Sequence, residues 1–164
     1  MQDAMTTEPK GGPTPGLTLA EQLCFPLYAA SRLVTRLYQP LLAPLGITYP
    51  QYIVLMILWE EAPCPVSHIG LRANLGSNTL TPLLKRLEQL DYVRRCRSAS
   101  DERVVDIHLT DSGRALQQAA ACIPQALFDA VGYPLEDARQ LKAQLDKLMA
   151  CLSTAPLPDA GAGD

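Results

Sequence analysis

Leu23, Leu27, Ala30, Val34, Leu37 and Leu41 follow one another at steps of three and four, the apolar stripe of a helix that runs to the Pro44/Gly46 break. Thr18 and Glu21 ahead of the stripe have the spacing of a capping box, which predicts a helix start at Thr18. Pro26 would lie inside that helix and remove one hydrogen bond, predicting a kink near Gln22 to Phe25. Thr48-Tyr49-Pro50 reads as the cap and first turn of a second helix, and Ile53 to Trp59 is apolar nearly all round, which marks a buried central helix. The two-proline stretch Glu60 to Pro65 reads as a loop. Val66 to Arg72 then makes a short helix, Ala73 to Gly76 a turn, and Ser77 to Asp91 a longer amphipathic helix with Leu80, Leu83, Leu84, Leu87 and Leu90 on its inner face.

The period then changes. Tyr92-Val93 and Val104 to Leu109 are rich in β-branched residues, the second run alternating at Val105, Ile107 and Leu109, so a two-stranded hairpin is expected with Arg94 to Glu102 as its basic tip. Thr110 can cap a helix reaching about Val131, and Leu135 to Leu152 supplies a last one. The order is α-α-α-α-β-β-α-α, mainly helical with one small hairpin. Residues 1–16 and 154–164, rich in glycine and proline, read as disordered tails around a single domain over 17–153.

Composition narrows the function classes. No run reaches the roughly 18 apolar residues of a spanning helix, and no basic-then-apolar leader opens the chain, so a cytoplasmic protein with no membrane partner is expected. The five cysteines (24, 64, 96, 122 and 151) form no C-x-x-C pair, which argues against a disulfide framework or a zinc ribbon. His68 and His108 lack ligand partners at metal-binding spacing, and neither a phosphate loop nor a nucleophile elbow is present, so no metal and no cofactor are expected. The net charge is −3, yet between Arg72 and Arg103 seven basic residues stand against four acidic ones. That +3 segment leaves −6 for the remainder, so any phosphate-binding surface lies there.

A short helix, a turn, a longer helix and a basic hairpin make the layout of a winged helix-turn-helix, in which the second helix enters the major groove and the hairpin reaches the flanking backbone or minor groove. Ser77, Asn78, Thr79 and Thr81 stand at the exposed start of that helix, where small polar side chains and free amides can meet phosphates or bases, and Lys85 and Arg86 continue the polar face. Arg94, Arg95, Arg97 and Arg103 supply the wing, with Arg72 nearby. The helix pair alone is equally compatible with an ordinary surface helix; the basic hairpin beside it favours a DNA interface.

Asp101-Glu102-Arg103 followed by Leu109-Thr110-Asp111-Ser112-Gly113 resembles the wing signature of the MarR family, in which the D-x-R motif braces the wing and L-T-x-x-G opens the next helix. Leu23 to Ala29, Leu45 to Tyr52 and Thr79 to Glu88 are similar to the organic hydroperoxide resistance regulators of that family, and the likeness spans about residues 18–152. It implies a winged-helix homodimer with dimerisation helices over 18–45 and 111–152 and a DNA-binding lobe over 50–109. Such a dimer represses transcription at a near-palindromic double-stranded operator. The resemblance further implies that Cys24 is oxidised by an organic hydroperoxide to a sulfenic acid, and that Tyr38 and Tyr49 of the partner subunit hydrogen-bond its thiolate, with Tyr28 a further neighbour.

Only the thiolate is nucleophilic, and phenol donors and helix amides hydrogen-bond that form. Two-cysteine members of the subfamily resolve the sulfenic acid with a second cysteine directly after a P-x-A-L-F-like run, where this chain has Asp129; Cys122 falls seven residues earlier, about two helical turns away. The resolving thiol is therefore Cys122 or a low-molecular-weight thiol, with Cys151 the next candidate. Cys64, Cys96 and Cys151 read as structural or incidental. Gly76 stands where an acidic cap of the recognition helix is expected, a role Ser77 can take. Two other readings stay open: release by a small phenolic ligand between dimerisation helices and DNA lobe, with Cys24 lining its pocket, and a thiol peroxidase, which the absence of alternating strands and helices disfavours.

Overall fold

A computed structural model of the chain describes residues 16–98 and 101–156. The remainder of the expected tails lies outside the described residues, as do positions 99–100 in the wing. Two compact units divide the chain, Met1–Ala121 and Cys122–Asp164.

The first unit begins differently from the expectation. Leu19–Glu21 is a single 3-10 turn; Thr18 makes no side-chain cap, and the Glu21 carboxylate accepts instead from the Gly16 amide at 3.0 Å. Helix α1 (Cys24–Leu42) starts only at Cys24. Pro26 is thereby its third residue, where an amide has no intrahelical acceptor to lose, so the reason for the expected kink disappears. The proline inside the helix is Pro40, close to its end. A 3-10 turn, Ala43–Leu45, and Gly46 at φ 68° stop the helix at the Pro44/Gly46 break.

Helix α2 (Tyr49–Glu61) opens as expected. The Thr48 amide and hydroxyl both donate to Gln51 Oε1, at 2.8 and 3.2 Å, and Pro50 occupies the first turn. Tyr52, Val54, Leu55, Ile57 and Leu58 are buried, which makes α2 the centre of the core together with Leu42, Ile69, Leu80, Leu84, Leu87 and Ile107. The stretch before the next helix is more than a loop: Cys64–Pro65 forms a short strand, β1, antiparallel to β3.

Helix α3 (Val66–Ala73) ends on Asn74 in the left-handed region, and the turn closes with the Leu75 amide donating to the Gly70 carbonyl at 2.9 Å. Helix α4 (Ser77–Gln89) follows. Its cap is Gly76, whose carbonyl accepts from the Thr79 and Leu80 amides; Ser77 is already the first helical residue and not the cap expected of it.

Strands β2 (Val93–Arg97) and β3 (Val105–Leu109) pair antiparallel, from Val93 opposite Leu109 to Arg97 opposite Val105, and the sheet order is β1-β3-β2. Arg94, Arg95 and Arg97 thus belong to a strand rather than to the loop at the tip. Backbone pairing extends past the strand ends, where Ser98 N donates to the Val104 carbonyl at 2.9 Å.

Helix α5 (Asp111–Ala120) is capped by the Thr110 hydroxyl, which accepts from the Gly113 amide at 3.0 Å. The single helix expected from Thr110 to Val131 is broken at Ala121-Cys122. Pro124 has no amide to donate to Ala120 and its ring crowds that carbonyl, so a new helix, α6 (Ile123–Val131), begins with the proline in its first turn. The second unit consists of α6, which ends on Gly132 at φ 63°, and α7 (Leu135–Thr154).

Gly113 shows why the L-T-x-x-G motif needs its glycine. A Cβ there would overlap the carbonyl of Tyr92, the residue that leads into the wing. Gly113→Ala should therefore destabilise the protein by about 3 kcal/mol or more, as forced overlap in a packed site does. Urea unfolding of both proteins tests this; a loss below about 1 kcal/mol would mean that the α5–wing contact is not close.

Candidate DNA interface and redox site

The polar face of α4 and the wing lie on the outside of the first unit. Ser77, Asn78, Thr79, Lys85 and Arg86 are exposed and Thr81 is half-buried, while Leu80, Leu84 and Leu87 fix the opposite face in the core. The exposed side is therefore the one carrying every α4 residue named as a DNA contact. Glu88 ties helix to wing by accepting from the Arg95 amide at 3.2 Å. On β2, Arg94 and Arg97 are exposed; Arg95 is half-buried, and its Nε is fully enclosed with no hydrogen-bond partner among the described residues.

Asp101 folds the wing back on itself. Its carboxylate accepts from the Arg103 amide at 3.0 Å and from the Arg103 guanidinium at 3.2 and 3.4 Å. The amide first, and the guanidinium next, hold the Asp101 carboxyl below its ordinary value. Arg103 is 91% exposed, so the brace sets its direction while leaving donors free for phosphate. Arg72, at the start of the basic segment, is exposed and paired with acidic neighbours. Its guanidinium pairs with Glu60 at 2.9 Å and also with Glu61, which His68 engages from the other side.

Residues named for redox chemistry separate into two places. Cys24 is the first residue of α1 and is exposed, and Tyr28, one turn later, is exposed with the Arg32 guanidinium 5.7 Å from its ring centre. Tyr38 stands about 21 Å further along the same helix, at ~1.5 Å per residue. There it stacks on Tyr49, the rings 4.4 Å apart and 26° from parallel. Burial, then the neighbouring Tyr49 and Tyr52, push the Tyr38 phenol above its ordinary value, and burial alone does the same for Tyr49. Both phenols therefore stay protonated donors across the physiological range. One straight helix cannot bring Cys24 to the tyrosines of its own chain. Tyr49 also borders a cleft of about 1200 Å³ between α1 and the start of α2, whose walls include Tyr28, Arg32, Arg36 and Gln39.

Among the other thiols, Cys64 is buried on β1, and burial followed by Glu61 and Asp106 pushes it up, against a downward pull from Arg72. That favours the unreactive protonated form. Cys96 is half-buried on β2, and Cys151 is exposed on α7. Cys122 is exposed at the α5–α6 break, in the cap position of α6.

Sequence reasoning missed an aromatic row. Tyr52 lies 5.8 Å from Tyr38, and Trp59 lies 6.0 Å from Tyr52, edge to face. Tyr49, Tyr52 and Trp59 are spaced by three and seven on α2, a helical-face pattern hidden because this helix is apolar on every side.

A family model described as the transcriptional regulator SarA/Rot matches residues 36–120. The chain is 46% identical over 136 residues to the organic hydroperoxide resistance transcriptional regulator of Bacillus subtilis, covering 83% of this chain and 92% of the relative. It is also 46% identical over 149 residues to the HTH-type transcriptional regulator TtmR of Methylorubrum extorquens, covering 88% and 76%. Among solved structures it resembles reduced AbfR bound to DNA, a Staphylococcus epidermidis protein, with TM-score 0.65 and 43% identity over 82% of this chain and 94% of that one. AbfR is also known overoxidised on DNA and in a disulfide-formed state.

If the wing arginines meet phosphates, Arg97→Ala combined with Arg103→Ala should weaken binding to an operator selected from random duplexes. The log–log salt slope should become shallower by up to about 2, since each lost phosphate contact removes about 0.9. An unchanged slope would take the wing off the DNA.

Proposed function

This chain belongs to the MarR family of winged-helix DNA-binding transcriptional regulators, and we propose that within it the chain is a homodimeric repressor that senses organic hydroperoxides through Cys24, acting in the cytoplasm on a near-palindromic operator. The observation that carries this reading is the separation of Cys24, exposed on the first turn of α1, from the half-buried, protonated Tyr38–Tyr49 pair about 21 Å away. A thiolate and its phenol donors on opposite ends of one helix become neighbours when a second α1 packs antiparallel beside the first. Tyr28 then joins them from the Cys24 end.

The surface supports such a pairing. Leu23, Phe25, Tyr28, Leu33, Val34 and Leu37 on or beside α1 are exposed in the single chain, as are Leu141, Met149 and Leu152 on α7. Two helices with uncovered apolar stripes fit an isologous interface. The same two-fold axis repeats α4 and the wing, so the operator carries two matching half-sites.

The sensing step is a two-electron exchange. The Cys24 thiolate attacks one peroxide oxygen, an S–O bond forms, the O–O bond breaks, and the departing alkoxide takes a proton to leave as an alcohol. The sulfur is oxidised to a sulfenic acid and the peroxide is reduced. A second thiol, from Cys122 or a small cellular thiol, then condenses with the sulfenic acid to form a disulfide and release water. The new bond removes the acceptor to which Tyr38 and Tyr49 donate, and the dimer shifts to a shape whose recognition helices no longer match adjacent grooves.

Cys24→Ser should bind operator like the wild type in the reduced state and stay bound after cumene hydroperoxide that releases the wild type. Release of the variant by peroxide would refute the sensing role. Sedimentation at micromolar concentration should give a dimer, and a monomer would rule out the shared site. Cys122→Ser, oxidised without added thiol, should fail to give a cross-linked dimer on non-reducing gels if Cys122 resolves; an unchanged band would assign that role elsewhere.

A further inference from the structure

We propose that Tyr52 and Trp59 are positioning residues that carry the state of the Tyr38–Tyr49 pair to the wing, an inference that rests on the sensing role assigned to that pair. Four rings run in unbroken contact: Tyr49 on Tyr38 at 4.4 Å, Tyr38 to Tyr52 at 5.8 Å, Tyr52 to Trp59 at 6.0 Å. Tyr52, in the middle of the row, is 3% exposed, while Tyr38, Tyr49 and Trp59 are half-buried, so the row dips from the surface into the core at Tyr52. Packed rings in a dense core shift together rather than deform one by one.

Beyond Trp59 the row ends on the backbone. The Trp59 Nε1–H donates to the Gly113 carbonyl at 2.9 Å, across 54 positions of sequence, in the first turn of α5. That turn is bonded to the place where α4 passes into β2. Thr110 donates its hydroxyl to the Asp91 carbonyl at 2.5 Å and its amide to the Tyr92 carbonyl at 3.2 Å, while Ser112 donates to the Asp91 carboxylate at 3.2 Å. Asp91 is in the left-handed region at φ 59°, a conformation few non-glycine residues hold without outside support. Gly113 leaves no room for slack, because its backbone packs directly on the Tyr92 carbonyl.

A displacement of the Tyr38–Tyr49 stack therefore has a continuous route to the residue that sets the angle between α4 and the wing. Tyr92 adds a second anchor, its hydroxyl donating to the Leu45 carbonyl at 3.1 Å, just before α2. The indole N–H is a polar link between the aromatic row and α5, and that is where the coupling can be cut without emptying the core.

Trp59→Phe keeps an aromatic ring and removes that donor. In the reduced state the variant should bind the selected operator within about threefold of the wild type, and cumene hydroperoxide should convert Cys24 to a dimedone-trappable sulfenic acid at the wild-type rate. The peroxide-driven loss of operator affinity should shrink at least tenfold. A merely structural role would instead weaken reduced binding and leave the ratio of oxidised to reduced affinity unchanged, which would overturn the proposal. If the wild type itself is not released by peroxide, the sensing reading and the coupling fall together; if the wild type is released and Trp59→Phe equally so, the coupling alone falls. The wild type offers an independent check, because Trp59 is the sole tryptophan. Its emission should change on oxidation of Cys24 in the absence of DNA, and an emission spectrum identical before and after oxidation would contradict a route through this ring.

Discussion

The close packing of Gly113 against the Tyr92 carbonyl is the constraint around which the first unit is organised. It presses the first turn of α5 onto the start of the wing, lets Thr110 and Ser112 bond to Asp91, and offers the Gly113 carbonyl to Trp59. Helix α2, the most buried helix of that unit, meets the α4–wing junction through this contact. A single methyl group would open it. The recognition helix and the hairpin are thus held at a defined angle by backbone geometry, while their outer faces remain free to carry polar and basic side chains.

That arrangement divides labour along the chain. Leu80, Leu84 and Leu87 anchor α4, so Ser77, Asn78, Thr79, Lys85 and Arg86 are left for the outside. Asp101 directs Arg103, and Glu60 and Glu61 pair with Arg72, so local acidic residues hold two of the exposed cations of the basic segment. Net acidity of the whole chain does not oppose DNA binding, because the segment from Arg72 to Arg103 carries the opposite sign.

Much of this was legible from residue order. The Thr48-Tyr49-Pro50 start, the all-apolar α2, the leucine face of α4 and the alternation on β3 each have a period or a cap that one sequence displays, and they gave the winged-helix layout. What stayed hidden had physical causes. Cys64–Pro65 is too short for alternation to appear, so β1 emerged only through its pairing with β3. Thr18 and Glu21 have the right spacing for a cap, but Glu21 bonds to Gly16 and the helix waits until Cys24. Pro124 was a breaker in plain sight inside an otherwise apolar run. The tyrosines came from a resemblance; the helix expected from Thr18 to the Pro44/Gly46 break already set Cys24 and Tyr38 far apart, but no pattern in the sequence showed that Tyr38 and Tyr49 stack. Tyr52 and Trp59 were obscured because, on a helix buried all round, no face stands out.

The central claim is that each redox site is assembled from two chains, with Cys24 given by one and Tyr38 and Tyr49 by the other. Subunit mixing tests it directly. Homodimers carrying Cys24→Ser, or Tyr38→Phe with Tyr49→Phe, should both fail to leave the operator at a peroxide dose that releases the wild type. A heterodimer of one such subunit with the other contains one complete site only if the site is shared between chains, since the unmodified Cys24 then faces the unmodified tyrosines. Peroxide-driven release restored in the purified heterodimer is the predicted result, and a heterodimer as unresponsive as its parent homodimers would contradict the account.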